Sequence, residues 1–245
     1  MVDKSENYFN LVQRYASKYI TDDSENEANI LFRKTLLRKS ASNPKDVWNV
    51  LLSWLFTQQK DYGKALIQEK ALYQRNPVDL AAIFSLGKIA FENKNYDAAK
   101  ECFDFITQKS TLNEEKIDAY LYKTKIAVAT SNPETENLFQ SLFNEFGKNT
   151  LTIKLQVEYA DFLTFQQNKP YKAKEILENA LTFSRSKFDK ARIKLKLGDI
   201  LVFTGKYNKA LIYFSQIRIA IVLPCQGFQT HCLMLLRTDL YNNDN

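Results

Sequence analysis

Few side chains in this sequence can act as nucleophile, metal ligand or proton shuttle. It has one histidine, His231, and three cysteines, Cys102, Cys225 and Cys232. Cys225, His231 and Cys232 lie close together, but they offer three ligands at a spacing unlike the common four-ligand zinc patterns. A lone histidine leaves no second imidazole for a His-based cage and almost no material for His–carboxylate catalysis. The Gly147-Lys148 pair in "FGKNT" lacks the upstream glycine of a phosphate loop, and G-x-G occurs nowhere in the chain. Glu158 and Asp161 are one helical turn apart, the ordinary spacing of a polar helix face. These residues predict no enzyme, no cofactor and no metal.

The chain that carries them has 245 residues, 45% apolar and 25% charged, the balance of a soluble globular protein. Six Gly, five Pro and no Gly/Ser/Pro-rich linker argue against a loop-rich β sandwich or barrel. The longest apolar run, near Ile219 in "IAIVLP", falls far short of a membrane-spanning helix. The polar start "MVDKSENYF" does not read as a secretory signal, so the chain as written is expected in the cytoplasm. An odd number of cysteines builds no disulfide framework. Net charge is +6, and Lys148 to Lys209 hold 13 basic against 6 acidic residues, so the remainder is about neutral. Such a block suits an anionic partner, or more ordinarily a solvated lysine-rich helix face.

The organisation comes from self-similarity. "QQKDYGKAL" from Gln58 aligns with "ENKNYDAAK" from Glu92, setting Tyr62 on Tyr96 and Ala65 on Ala99, both 34 apart. Ala99 to Ala173 is 74, two steps of 37, and Ala173 to Ala210 is 37 again. Within a unit, Ile83, Leu86, Ile89 and Ala90 recur at helical spacing, and Tyr96, Ala99, Phe103 and Ile106 do so after a polar turn. Asn93, Asn95 and Gly205 are the residues expected to take the left-handed backbone that ends a helix, and Pro77 closes the unit around Ala65. Two antiparallel helices approach closely where a small residue sits at their crossing. Ser53, Gly87 and Gly198 hold that place in the first helix, faced by Ala65, Ala99, Ala173 and Ala210 from the second.

This pattern resembles the tetratricopeptide repeat, a helix–turn–helix unit of about 34 residues. The likeness runs from about Asp46 to Ile217, clearest around Gly87 and Gly198. Its phrasing in "LLSWLFTQQKDYGKAL" and "KLGDILVFTGKYNKALIYFSQI" is similar to long multi-repeat proteins of Bacteroidetes-type bacteria, often exported; membership there would place the parent protein in the periplasm or cell envelope. The expected fold is an all-α, right-handed solenoid of four to six stacked helix pairs. An N-terminal pair without signature covers 1–43. The array covers 44–217, with units near 46–77, 79–110, 115–147, 150–184 and 188–217, the third a degenerate copy. The tail 218–245, apolar and without signature, reads as a divergent cap, a partner-docking helix, or an altered or truncated repeat.

The resemblance implies a binding groove lined by first helices. Carried over by register, the groove residues are Trp54, Phe84, Lys88, Phe91, Phe162, Phe165, Arg192 and Asp199. Phe84 and Phe162 stand where members that clamp a terminal carboxylate need polar side chains, so an apolar anchor on the ligand is expected instead. The opposing reading puts these aromatics in the core, where helical spacing usually puts them. The expected function is a non-enzymatic scaffold for a protein or peptide partner, with Lys88 and Arg192 steering acidic ones. The rival is nucleic-acid or anion binding through the basic 185–209 region, disfavoured because Lys187, Lys190, Arg192, Lys194 and Lys196 spread around a helix with few aromatics to stack bases. A third reading is a passive assembly piece that self-associates through its tail.

Overall fold

The computed structural model describes residues 9–220, with side chains to 217. The described residues form twelve α-helices and one π turn, without a strand. The unsigned tail beyond 220, with Cys225, His231 and Cys232, lies outside them. None of the described helices is long and apolar enough to cross a membrane. The chain divides into two compact units at Thr130/Ser131, inside the stretch 115–147 whose sequence carries the weakest repeat signature.

In the first unit, α1 (Phe9–Ala16) and α2 (Glu27–Ser42) precede α3 (Asp46–Gln58), α4 (Tyr62–Arg75), α5 (Ala81–Glu92), α6 (Tyr96–Lys109) and α7 (Asn113–Ala129). Helix α3 packs along α4 and α5 along α6, each pair joined by a turn too short for anything but an antiparallel return. Helices α2 and α7 pack against α3 and α6. Within "TDDSENE" it is Asn26 that caps α2, accepting from the amides of Ala28 and Asn29. Fully buried Asn29 then fastens the preceding loop: its Nδ2 donates to the Thr21 carbonyl at 2.9 Å, and its Oδ1 accepts from the Thr21 amide at 3.2 Å.

The second unit holds α8 (Thr135–Phe146), α9 (Ile153–Asp161), the π turn Phe162–Gln166, α10 (Pro170–Phe183), α11 (Lys187–Phe203) and α12 (Tyr207–Ala220). Here α9 packs on α10 and α11 on α12, while α10 and α9 both touch α11. Pro170 starts α10 at the position where its missing N–H costs nothing. Ser186 starts α11 by accepting from the amides of Phe188 and Asp189.

The repeat is written in the backbone more regularly than in the side chains. Residues with positive φ are Lys60, Lys94, Ser131, Asn168, Gly147 and Gly205. Leaving out Gly147, which ends α8, the others lie in the turns after the first helices, spaced 34, 37, 37 and 37. Three of these turns share one hydrogen-bond pattern. The amides of Lys60, Lys94 and Gly205 donate to Thr57, Phe91 and Val202, and those of Asp61, Asn95 and Lys206 donate to Phe56, Ala90 and Leu201. That pair of bonds satisfies carbonyls a helix end would otherwise orphan. The left-handed residue of the second turn is thus Lys94. Asn93 and Asn95, given that role from their type, take the flanking ones: Asn93 is the right-handed C-cap, and Asn95 caps α6 by accepting from the Ala98 amide.

A side chain in left-handed backbone costs about 1 kcal/mol. Lys94→Gly is therefore expected to raise stability by about 0.5 kcal/mol, the relief less the glycine's own entropy. Gly205→Ala should lower it by about 1 kcal/mol, because no atom lies within 4 Å of the new Cβ and only the backbone objects. Urea unfolding of the two variants should shift the midpoint in opposite directions.

Small residues hold the helix crossings. Ala65, Ala99 and Ala173 are fully buried, Ala210 and Ser53 nearly so. A Cβ on Gly87 would stand 2.9 Å from both Cys102 Cβ and Phe103 Cζ, and one on Gly198 2.3 Å from Phe214 Cε1. Counting back from the left-handed residue, the same position in α7 is Thr124, fully buried with its hydroxyl donating to the Leu121 carbonyl at 2.8 Å. In α9 the π turn adds one residue, and the fully buried residue at the crossing register is Ala160. Cys102 is buried beside these contacts, and burial pushes its thiol up to about 12, far from the reactive thiolate range.

Candidate partner-binding face

The first helices carry the eight residues the resemblance assigned to a groove, and the two units treat them differently. In the first unit the aromatics are largely spent on packing. Phe84 meets Phe103 and Tyr122 edge-on at 5.7 and 5.5 Å, and Phe91 meets Tyr122 at 5.6 Å and Tyr96 at 5.8 Å. Both are half-buried, as are Lys88 and Trp54, whose ring lies edge-on to Phe32 at 6.3 Å. Tyr122, which the sequence reading passed over, is the hub: it also stacks on Phe103 at 4.9 Å and welds α7 onto the α5/α6 pair. These half-buried rings thus share their surface between packing and solvent.

In the second unit the π turn sorts two phenylalanines. Phe162 turns inward and is only 5% exposed, its ring 5.8 Å from Phe139 and 6.4 Å from Tyr159. It belongs to the core, which corrects its assignment to the groove. Phe165 turns outward, 52% exposed, and meets Phe203 of α11, 46% exposed, edge-on at 5.4 Å. Apolar rings that project this far in a register-related pair are available to a partner. Phe203 was missed by the sequence reading, although it stands four residues after Asp199 on the same stripe.

One turn back along each helix the face becomes ionic. Lys196 Nζ of α11 lies 2.6 Å from Asp161 of α9 and 3.6 Å from Asp199. Burial pulls this ammonium down, but Asp161, Asp199 and Glu158 outweigh it and hold Lys196 above the ordinary lysine range. Arg192 is bound to Asp189 at 3.1 Å within α11, so it is not the open cation expected to steer acidic partners. Among the described residues no three His, Cys, Asp or Glu converge to hold a metal ion. The carboxylates gather on Lys196 instead.

Behind the face, Tyr159 is fully buried. Its hydroxyl accepts from Gln140 Nε2 at 2.7 Å and donates to Glu136 Oε1 at 3.2 Å, and Lys169 and Lys172 each approach Glu136 at 3.7 Å. Burial, then the Glu136 charge, push the phenol up to about 12. An unfolded tyrosine ionises near pH 10. Between those values the folded state holds a proton that the unfolded state has released, so stability falls as pH rises through the window. Lys196 acts in the same direction: its raised value contributes stability fully present below the unfolded lysine value and lost above the folded one. The urea midpoint, followed by circular dichroism, should be flat from neutrality to about pH 10 and then fall. Tyr159→Phe should make that fall shallower; an unchanged slope would rule out Tyr159 as a contributor.

Residues 80–104 match the tetratricopeptide repeat family model. No curated protein matches the sequence. Among solved structures, a tetratricopeptide repeat protein from Parabacteroides merdae ATCC 43184 is similar with a TM-score of 0.52 and 20% identity, over 91% of this chain and 80% of its own. A thermophilic TPR protein from Thermus thermophilus follows at TM-score 0.51 and 12% identity, over 78% of this chain and 99% of its own. BtubC from P. vanneervenii gives TM-score 0.51 and 13% identity, over 86% and 90%. At such identities the likeness is one of fold.

Proposed function

We propose that this chain, a tetratricopeptide repeat protein by its stacked helix pairs and the repeat at 80–104, is a non-enzymatic scaffold that holds a protein segment on the face of α9 and α11. The observation that carries the reading is the Phe165–Phe203 pair, two rings about half exposed on neighbouring first helices. Aromatic anchors of this kind dominate interface energetics. Other family features fit less well here: the first unit's rings are spent on Tyr122, and Phe162 is in the core.

Anion binding through 185–209 has weaker support. Lys196 is bound to Asp161 and Arg192 to Asp189, and outside that stretch Lys174 is bound to Glu178 at 3.0 Å. The other cations of the stretch, Lys187, Lys190 and Lys194 among them, spread around one helix with few aromatics between them, so they form no single stripe for a polyanion backbone and no platform for its bases.

The test is selection of random peptides on the full chain, in parallel with a Phe165→Ser/Phe203→Ser variant shown to fold by circular dichroism. Peptides enriched by wild type are expected to be lost from the variant. An identical peptide set on both, or no enrichment on either, would remove this face as the working site.

A further inference from the structure

We infer a second binding seat, in the first unit, for a short amphipathic helix, with α1 as the occupant that holds it until a better-fitting helix takes its place. Trp54 and Gln58 of α3 face Asn10, Gln13, Arg14 and Ser17 across an open cleft of about 340 Å³. Phe9 and Val12, three residues apart on α1, pack against the core of the same unit. Helix α1 thus lies where a bound helix would lie, against the side of α3 that carries Trp54. The arrangement is that of a ligand in a groove, supplied by the chain itself.

This occupant is lightly held. No residue of α1 is buried, Phe9 and Val12 included. The polar contacts at its C-terminal end stay local: Ser17 Oγ donates to the Arg14 carbonyl at 2.9 Å, and Arg14 and Lys18 lie over the Tyr15 ring at 5.8 and 5.4 Å. A helix of eight residues has little stability of its own, so α1 forms as it docks and unwinds as it leaves. Firm attachment begins only beyond it. Thr21 is tied to Asn29 by two hydrogen bonds, and Asp22 pairs with Lys60 at 3.0 Å. Residues 17–20 therefore serve as the joint, and α1 can lift while the helices behind it stay packed.

The occupant also fits incompletely. Helix-in-groove recognition reads apolar anchors at i, i+3 and i+4. Helix α1 supplies the first two in Phe9 and Val12, but its third is Gln13, and Ser17 follows one turn on. Both border the cleft beside Trp54, whose ring is braced by Phe32 and only half-buried. A helix with a large aliphatic side chain at the third anchor would close the cleft and cover the indole. The partner class is therefore an amphipathic helix with an aromatic residue at i and aliphatic ones at i+3 and i+4.

The experiment uses the full chain and fluorescent peptides with the sequence of residues 9–20: one native, one carrying Gln13→Leu/Ser17→Leu, and one carrying Phe9→Ser/Val12→Ser. The leucine peptide should bind wild type about tenfold more tightly than the native-sequence peptide, the effect of partly burying an added leucine. The serine peptide should not bind. A full chain carrying Phe9→Ser/Val12→Ser should take the native-sequence peptide about tenfold more tightly than wild type does, because its own α1 no longer competes at the high effective concentration of a short tether. Acrylamide quenching reports on Trp54, since Trp48 is buried with its Nε1 bonded to the Asn43 carbonyl. Quenching should rise in the variant chain and fall again when peptide binds. Hydrogen exchange of α3 to α6 checks that this chain is folded; if it is not, Val12→Ser alone serves in its place. Equal affinities of the leucine and native-sequence peptides for wild type, equal uptake by the two chains, or binding that leaves Trp54 quenching unchanged overturns the inference. Phe165→Ser/Phe203→Ser should leave peptide binding intact; its loss there would assign the peptides to the other face and overturn the inference as well.

Discussion

Replacing Phe139 with alanine is expected to cost about 3–5 kcal/mol, with the loss concentrated in the second unit. Phe139 is fully buried, and its ring lies 4.9 Å from Tyr159, 5.8 Å from Phe162 and 6.4 Å from Phe143. All of these belong to residues 131–220, so the cavity opens in that unit's own core. The surrounding rings are large and mutually braced, which limits how far they can collapse into the space. In repeat architectures stability is close to a sum of local and nearest-neighbour contributions, so damage need not spread evenly. Native-state hydrogen exchange is the measurement: amides of α9 to α12 should lose protection well before those of α3 to α6. Uniform loss along the chain would mean the two units open as one block.

Gly87→Val should destabilise the first unit by about 3 kcal/mol, against the direction that helix propensity alone would give. Valine is the better helix former by a few tenths of a kcal/mol. Its Cβ, however, would meet Cys102 Cβ and Phe103 Cζ at 2.9 Å. Neither neighbour can yield easily. Cys102 offers its Cβ, next to backbone, and the Phe103 ring is fully buried between Phe84 at 5.7 Å and Tyr122 at 4.9 Å. Gly63 in α4 supplies the opposite case, because nothing lies within 4 Å of an added Cβ. Gly63→Ala should therefore stabilise by about 0.5 kcal/mol. Thermal melts that move both variants the same way would refute the crossing argument.

The contrast between these two glycines explains what could be read in advance. Gly87, Gly198 and the four alanines were legible because close helix crossing admits few residue types, and those types recur at a fixed spacing. Thr124 escaped notice because it meets the same demand by another route, folding its hydroxyl onto the Leu121 carbonyl. The turn residue was misassigned because the left-handed conformation at Lys94 is imposed by the hydrogen bonds around it, whatever the side chain. On the candidate face, Asp161 and Lys196 are 35 positions apart, and no periodicity announces a pairing between charges on different helices. The π turn was invisible for a related reason: one added residue leaves the run of apolar side chains intact while turning Phe165 away from the inward side that Phe162 takes.

That added residue also bears on how such a face can arise and vanish. A residue removed from a helix rotates everything beyond it by about 100° relative to what came before. Deleting the codon of Leu163 or Thr164 would rotate Phe165 away from its present outward position in one step, while Phe162, upstream of the cut, keeps its place in the core. Because the left-handed turn at Asn168 follows directly, the disturbance would end there and the next pair would keep its register. A frame-preserving insertion or deletion in this turn can thus make or unmake the exposed Phe165–Phe203 pair in one step.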